Sequence, residues 1–213
     1  MGPVVAGGLV KVLGLGILAL CAAASALGDE AADRALLGKA ATQAIDSLGR
    51  PDGFFGNPEV KIPLPGKLEK VHKALQSLGV NDKGVSDKGD AMVLAINRAA
   101  ESALPESRAL VADAIQRMPM PDAAQLAAGG DVLTRQLRAT MLDSLNTGVL
   151  PLVGKATQGV RLAEKYNEMA SKASALGLLD QRDAELDGYV TRQTLNGLFR
   201  EMAKQEATLR STR

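Results

Sequence analysis

Apolar positions recur every three or four residues along almost the whole chain, the spacing of α-helices that bury one face. In "DEAADRALLGKAATQAIDSLG" the stripe is Ala32, Leu36, Ala40, Ala44 and Leu48, and Gly49 is placed to end the helix in a left-handed conformation. "GKLEKVHKALQSLG" repeats the device with Leu68, Val71, Leu75 and Leu78 ahead of Gly79, after which "VNDKGVSDKGD" reads as a polar loop. "DAMVLAINRAAESAL" turns Met92, Ala95, Ile96, Ala99 and Ala103 inward, and Pro105 takes the favoured first-turn position of "PESRALVADAIQRM". Pro119 and Pro121 stop that helix, and "DAAQLAAGG" gives a short one ended by paired glycines. Asp131 is placed to cap "DVLTRQLRATMLDSLNTG", whose seam is Val132, Leu133, Leu137, Met141 and Leu145. A long helix from about Leu150 to Leu176 follows. The last begins at Thr191 as N-cap and aligns Leu195, Leu198, Phe199, Met202 and Leu209.

One segment departs from this period. "GRPDGFFGNPEVKIPLPG", residues 49 to 66, holds two turn signals, "PDG" and "GNP", around Phe54 and Phe55. Beyond Pro58, Val60, Ile62 and Leu64 alternate with Glu59, Lys61 and Pro63, while Pro63 and Pro65 remove backbone donors and exclude a helix. The expectation is an all-α, irregular multi-helix bundle of about seven helices, with alanine-rich interfaces and one extended Pro-rich strap covering its core. As a binding wall, the strap would offer Arg50, Asp52 and Asn57 at its rim and Phe54 and Phe55 to the interior.

Composition narrows the function classes. The 213 residues suit an N-terminal leader followed by a single domain, 27–213. Lys and Arg number 25 against 24 Asp and Glu, with no basic stripe, and Phe and Tyr together number five with no Trp; this argues against nucleic-acid binding. Lys11, the apolar "VLGLGILALCAAASA" and the terminal "ASA" read as an export signal cleaved after about Ala26. Initiation at Val10 would make that leader more compact. The run falls short of the roughly 20 apolar residues of a spanning helix, so no stable membrane span is expected after cleavage. Cys21 follows Leu20, where a lipobox wants a small residue, which places cleavage at Ala26 ahead of a lipid anchor. Removal of Cys21 leaves a mature chain without cysteine, consistent with the periplasm.

Candidate chemistry is sparse. "DAELDGYVTRQT" sets Asp183, Glu185 and Asp187 at positions one, three and five of an EF-hand-like loop, but Thr194 occupies position twelve, where a bidentate Glu is needed. His72 is the only histidine, beside the apolar face of its helix, and would be the first residue of interest in a hydrolase-like enzyme using a nearby carboxylate. No nucleophile elbow, zinc-protease motif or phosphate loop is present, and no cofactor is expected. Asn97, Arg98 and Glu101 lie within one helical turn, and Arg138 and Asp143 lie on another helix. They form either ion networks or a polar pocket in which Arg98 or Arg138 holds a carboxylate or phosphate. Tyr166 and Asn167 could complete such a pocket.

"GRPDGFFGNPEVKIPLP", "NRAAE", "GGD", "LP" at 150 and 151, "YN" at 166 and 167, and "LDGYVTRQTLNGLF" resemble the bacterial exported family known as domain of unknown function 4197, from about Ala31 to Arg210. The resemblance implies a small, signal-bearing, all-α protein and assigns no activity. "VNDKGVSDKGD" is longer than the family's usual connection, and the chain stops at Arg213, short of the tail many relatives carry. The expected role is an exported protein that binds a ligand or a periplasmic partner protein.

Overall fold

The computed structural model describes residues 30–66, 69, 83–127, 129–158 and 186–212. Within them the fold is all-α, with no strand. The helices are α1 (30–48), α2 (Lys83–Glu106), α3 (Arg108–Arg117), α4 (Ala123–Ala127), α5 (Val132–Gln158) and α6 (Leu186–Ser211). All of the expected helix over residues 66–79 except 66 and 69, the leader with Cys21, and His72, Tyr166, Asn167, Asp183 and Glu185 lie outside the described residues.

The apolar spacing located the core well. Leu36, Ala40, Ala44 and Leu48 of α1 are buried together with Leu37, Ala41 and Ile45, whereas Ala32 is exposed. Helix α5 is the hub: it packs against α2, α3, α4 and most extensively α6. Leu133, Leu137, Leu145, Val149 and Val153 of α5 meet Val190, Leu195, Leu198, Phe199 and Met202 of α6 in one continuous core. Met141 and Leu209, also expected inside, are partly buried against it.

The helix ends differ from expectation in instructive ways. The supposed loop "VNDKGVSDKGD" is helical from Lys83 onward, because apolar burial farther along α2 outweighs the helix cost of two glycines, about 1 kcal/mol each. Pro105 lies near the end of α2, not at the start of α3; α2 gives way at Ser107. Helix α5 runs unbroken through Gly148 and Pro151 where two helices were expected, since Val149 and Val153 stay on its buried face. Asp122 and Gln125 form a reciprocal capping box on α4, with Gln125 N–H donating to Asp122 Oδ1 at 2.8 Å and Asp122 N–H to Gln125 Oε1 at 3.0 Å. Gly129 and Gly130, both with positive φ, lead from α4 to α5.

Asp131 does not cap α5 with its side chain, which pairs instead with Arg135. The cap comes from α6: fully buried Glu206 accepts from Leu133 N–H at 3.0 Å, Thr134 N–H at 2.8 Å and the Thr134 hydroxyl at 2.7 Å, and Arg210 Nε donates to it at 3.0 Å. A carboxylate at a helix N-terminus is favoured by the orphan N–H groups and the helix dipole. Arg34 of α1 serves the opposite end of α3 by donating to the carbonyls of Ile115 and Met118. Thr191 is not an N-cap: α6 already begins at Leu186, and the Thr191 hydroxyl donates back to the Asp187 carbonyl at 2.6 Å.

Candidate functional site

Residues 49–65, which follow α1, are non-helical, but they do not form one extended strap. Residues 51–56 and 58–60 are successive turns, and 61–65 continue without regular structure. The first turn places Asp52 at a φ of 66°, with Gly53 N–H donating to the Arg50 carbonyl at 2.9 Å. Gly49 does not adopt the left-handed conformation expected of it. A Cβ there would sit 2.7 Å from the Pro105 ring, so this glycine permits close approach to the end of α2.

Alternation predicted the buried side of this segment. Val60, Ile62 and Leu64 are buried, while Glu59, Lys61 and Pro63 are exposed. Phe54 is fully buried and Phe55 packs partly buried against the core. Gly197, in the middle of α6, receives the Phe54 ring: a Cβ there would lie 2.6 Å from it. Glycine inside a long helix costs about 1 kcal/mol, and here it makes room for an aromatic side chain.

Three predicted polar residues of α2 supply the hydrogen bonds that a turn-rich buried segment cannot make for itself. Asn97, fully buried, accepts from Ile62 N–H at 2.8 Å and donates to the Ile62 carbonyl at 2.8 Å and the Val93 carbonyl at 2.7 Å. It pairs with one residue's backbone as a neighbouring strand would. One oxygen of buried Glu101 accepts both Phe54 and Phe55 N–H, each at 3.0 Å. Its other oxygen accepts from Arg98 at 2.6 Å, and Arg98 also reaches Asp52 at 2.8 Å. The hydrogen bond to Glu101 holds the Arg98 guanidinium above its ordinary pKa range, with the charges of Glu101 and Asp52 adding to it and desolvation opposing.

From α6, the Tyr189 hydroxyl donates to the Pro63 carbonyl at 2.8 Å, and Arg200 to the Glu59 carbonyl at 3.1 Å. Lys204 pairs with the Glu59 side chain; that hydrogen bond and the Lys204 charge hold the Glu59 carboxyl below its usual range. Asn57 accepts from Glu59 N–H at 3.1 Å in an Asx turn, and Arg50 is exposed. The structure therefore brings Asp52, Phe54, Phe55, Asn97, Arg98 and Glu101 together. Their polar atoms face one another across the segment.

Arg138 is built differently. It lies on the outer side of α5, donates to Asn196 Oδ1 at 2.8 Å, and holds its guanidinium 5.8 Å from the centre of the Phe199 ring. Among the described residues no carboxylate pairs with it. Two clefts adjoin along this side of α5. One, of about 450 Å³, is lined by Arg135, Arg138, Ala139, Thr140, Leu142 and Asp143. The other, of about 300 Å³, runs from Arg135, Gln136 and Ala139 toward Pro121 and Gln125. Arg135 and Ala139 belong to both, so together they form one groove. Arg135 and Asn196 escaped the sequence reading, although the three-residue spacing of Arg135 and Arg138 puts both on one helix side.

The acidic stretch 183–194 is described only in part. From Leu186 onward it is helix α6, and Asp187 accepts the Thr157 hydroxyl at 2.6 Å across the α5–α6 interface. Among the described residues no three potential ligands gather as a metal site.

No curated protein and no solved structure matches the chain. A family model described as "Protein of unknown function (DUF4197)" matches residues 29–213, which span the turn-rich segment, α2 and α6. On that match the chain belongs to the DUF4197 family.

Proposed function

We propose that this is an exported, periplasmic helical protein that works by binding a partner protein, and that the partner sits in the groove along the outer side of α5. The observation that carries the reading is the contrast in how polar groups are used. Asn97, Arg98 and Glu101 are committed to holding residues 52–62. Arg138 lines a groove and, among the described residues, is fixed only by a neutral amide and an aromatic face. A positioned guanidinium loses less conformational freedom on binding than a mobile one. Export is supported by the apolar leader and by the family match, which starts at residue 29, beyond the expected cleavage after about Ala26. Among the described residues no helix is long and apolar enough to cross a membrane.

The test is a photo-reactive residue placed at Ala139 in the groove or at exposed Ala112 on α3, in cells making the full chain. The expected result is a discrete cross-linked band from Ala139 in the periplasmic fraction and none from Ala112. Equal labelling from both positions, or no adduct from Ala139, rejects the groove as the seat of a partner. A leader that is still attached to the purified protein rejects the export part.

A further inference from the structure

We infer that the groove on α5 takes an acidic peptide segment of its partner, with a carboxylate of that segment seated on Arg138; this rests on the binding reading above and adds the chemistry of the ligand. The first argument is charge. Arg135 and Arg138 stand three residues apart on one helix, an arrangement of like charges that costs stability unless it is compensated. Arg135 has a partial answer in Asp131, at 3.2 Å with both side chains well exposed, a pairing worth little in water. Arg138 has Asn196 and Phe199, both neutral. An incoming carboxylate would therefore meet a guanidinium already held in place, with N–H donors left over from its bond to Asn196 and, among the described residues, no acidic partner.

Shape is the second argument. The groove follows α5 from Val132 to Asp143, twelve residues and eleven steps, thus about 16 Å of helix. That length suits about five residues of extended chain at about 3.3 Å each. Its lining includes the small or apolar side chains Ala139 and Leu142, so apolar positions of a bound segment would alternate with its acidic ones. Asp143 closes one end with a negative charge, which sets the register: the acidic positions belong beside Arg135 and Arg138, away from Asp143.

The experiment uses protein purified from cells making the full chain and three fluorescent six-residue peptides alternating leucine with glutamate, glutamine or lysine, followed by anisotropy. The glutamate peptide is expected to bind, and its affinity to fall as salt rises. Arg138→Glu is expected to weaken it about tenfold, Arg138→Gln by less, and Asp143→Asn to tighten it. Lys39→Glu, an exposed charge change on α1 outside the groove, should leave it unchanged. Circular dichroism melting of each variant separates loss of binding from loss of fold. Equal binding of the glutamine peptide, no effect of Arg138→Glu, or inorganic phosphate displacing the peptide at comparable concentration overturns the inference, the last by making the groove a small-anion site. If the glutamate peptide fails while Ala139 still cross-links a partner in cells, the acidic chemistry is wrong and the binding reading survives. If the peptide binds at Arg138 but nothing cross-links at Ala139, the chemistry stands and the partner-protein reading falls.

Discussion

The polar cluster on α2 and the polar cluster on α5 look alike in one dimension. Each puts an arginine and an acidic residue a turn or so apart on an amphipathic helix. They end up doing different work because of what is laid against them. Opposite Asn97, Arg98 and Glu101 lies a stretch of backbone with no strand or helix partner of its own, and buried N–H and C=O groups without partners are costly. The side chains of α2 supply those partners, so the cluster is filled from within. Beside Arg138 lie a neutral amide, an aromatic ring and an open groove, and Arg135 has only the exposed Asp131. A charged pair on a helix is thus ambiguous until the backbone facing it is known.

That contrast makes graded predictions. The largest effect belongs to Phe54→Ala, which empties the space over Gly197 and should cost about 3–5 kcal/mol by chemical denaturation. A cost below about 1 kcal/mol would mean the ring is not part of the core. Asn97→Leu keeps the volume but strands both polar groups of Ile62, and a loss of about 3 kcal/mol is expected. If stability is unchanged, the pairing of α2 with the segment is dispensable. Glu101→Gln retains an acceptor for Phe54 and Phe55 N–H but removes the charge that faces Arg98, for about 1–2 kcal/mol, with little response to salt because the carboxylate is buried.

Glu59 gives a pH test of the outer edge. Its carboxyl titrates below the usual range in the folded protein because of Lys204. Its contribution is therefore complete above the ordinary carboxylate pKa and disappears as pH falls through the lowered folded value. The stability difference between the natural protein and Glu59→Gln should be flat near neutrality and close in acid; a gap that widens in acid contradicts the assignment. Smallest of all is Arg138→Gln, expected to move the melting free energy by no more than about 0.5 kcal/mol. A loss as large as that of Asn97→Leu would show that Arg138, too, is committed to the fold and would erase the distinction between the two clusters.

Much of the architecture was legible because burial leaves a period in the sequence. The seams of α1, α5 and α6 follow from apolar spacing, and the alternation of Val60, Ile62 and Leu64 correctly named the inward side of a segment with no regular structure. Helix boundaries were less legible. Gly84, Gly89, Gly148 and Pro151 are intrinsic helix breakers, yet α2 and α5 run through them, since packing along a long interface exceeds a local propensity of about 1 kcal/mol for Gly and about 3 for Pro. Capping partners were invisible for another reason: Glu206 and Leu133 are 73 residues apart, and Arg34 reaches a carbonyl 81 residues away.

The same limit applies to the candidate site. Sequence alone determined that Asn97, Arg98, Glu101 and Arg138 would stand on helices, and that Phe54 and Phe55 would sit in a turn-rich stretch beside a core. Side-chain period reports which way a residue faces and says nothing of what it faces. Only the tertiary structure decided that Gly197 is a seat for Phe54, that Asn97 acts as a substitute strand for Ile62, and that Arg138 is left with neutral company. Each of these depends on two helices, or a helix and a loop, meeting across dozens of residues of chain, and a hydrogen bond exists only once both of its ends are in place.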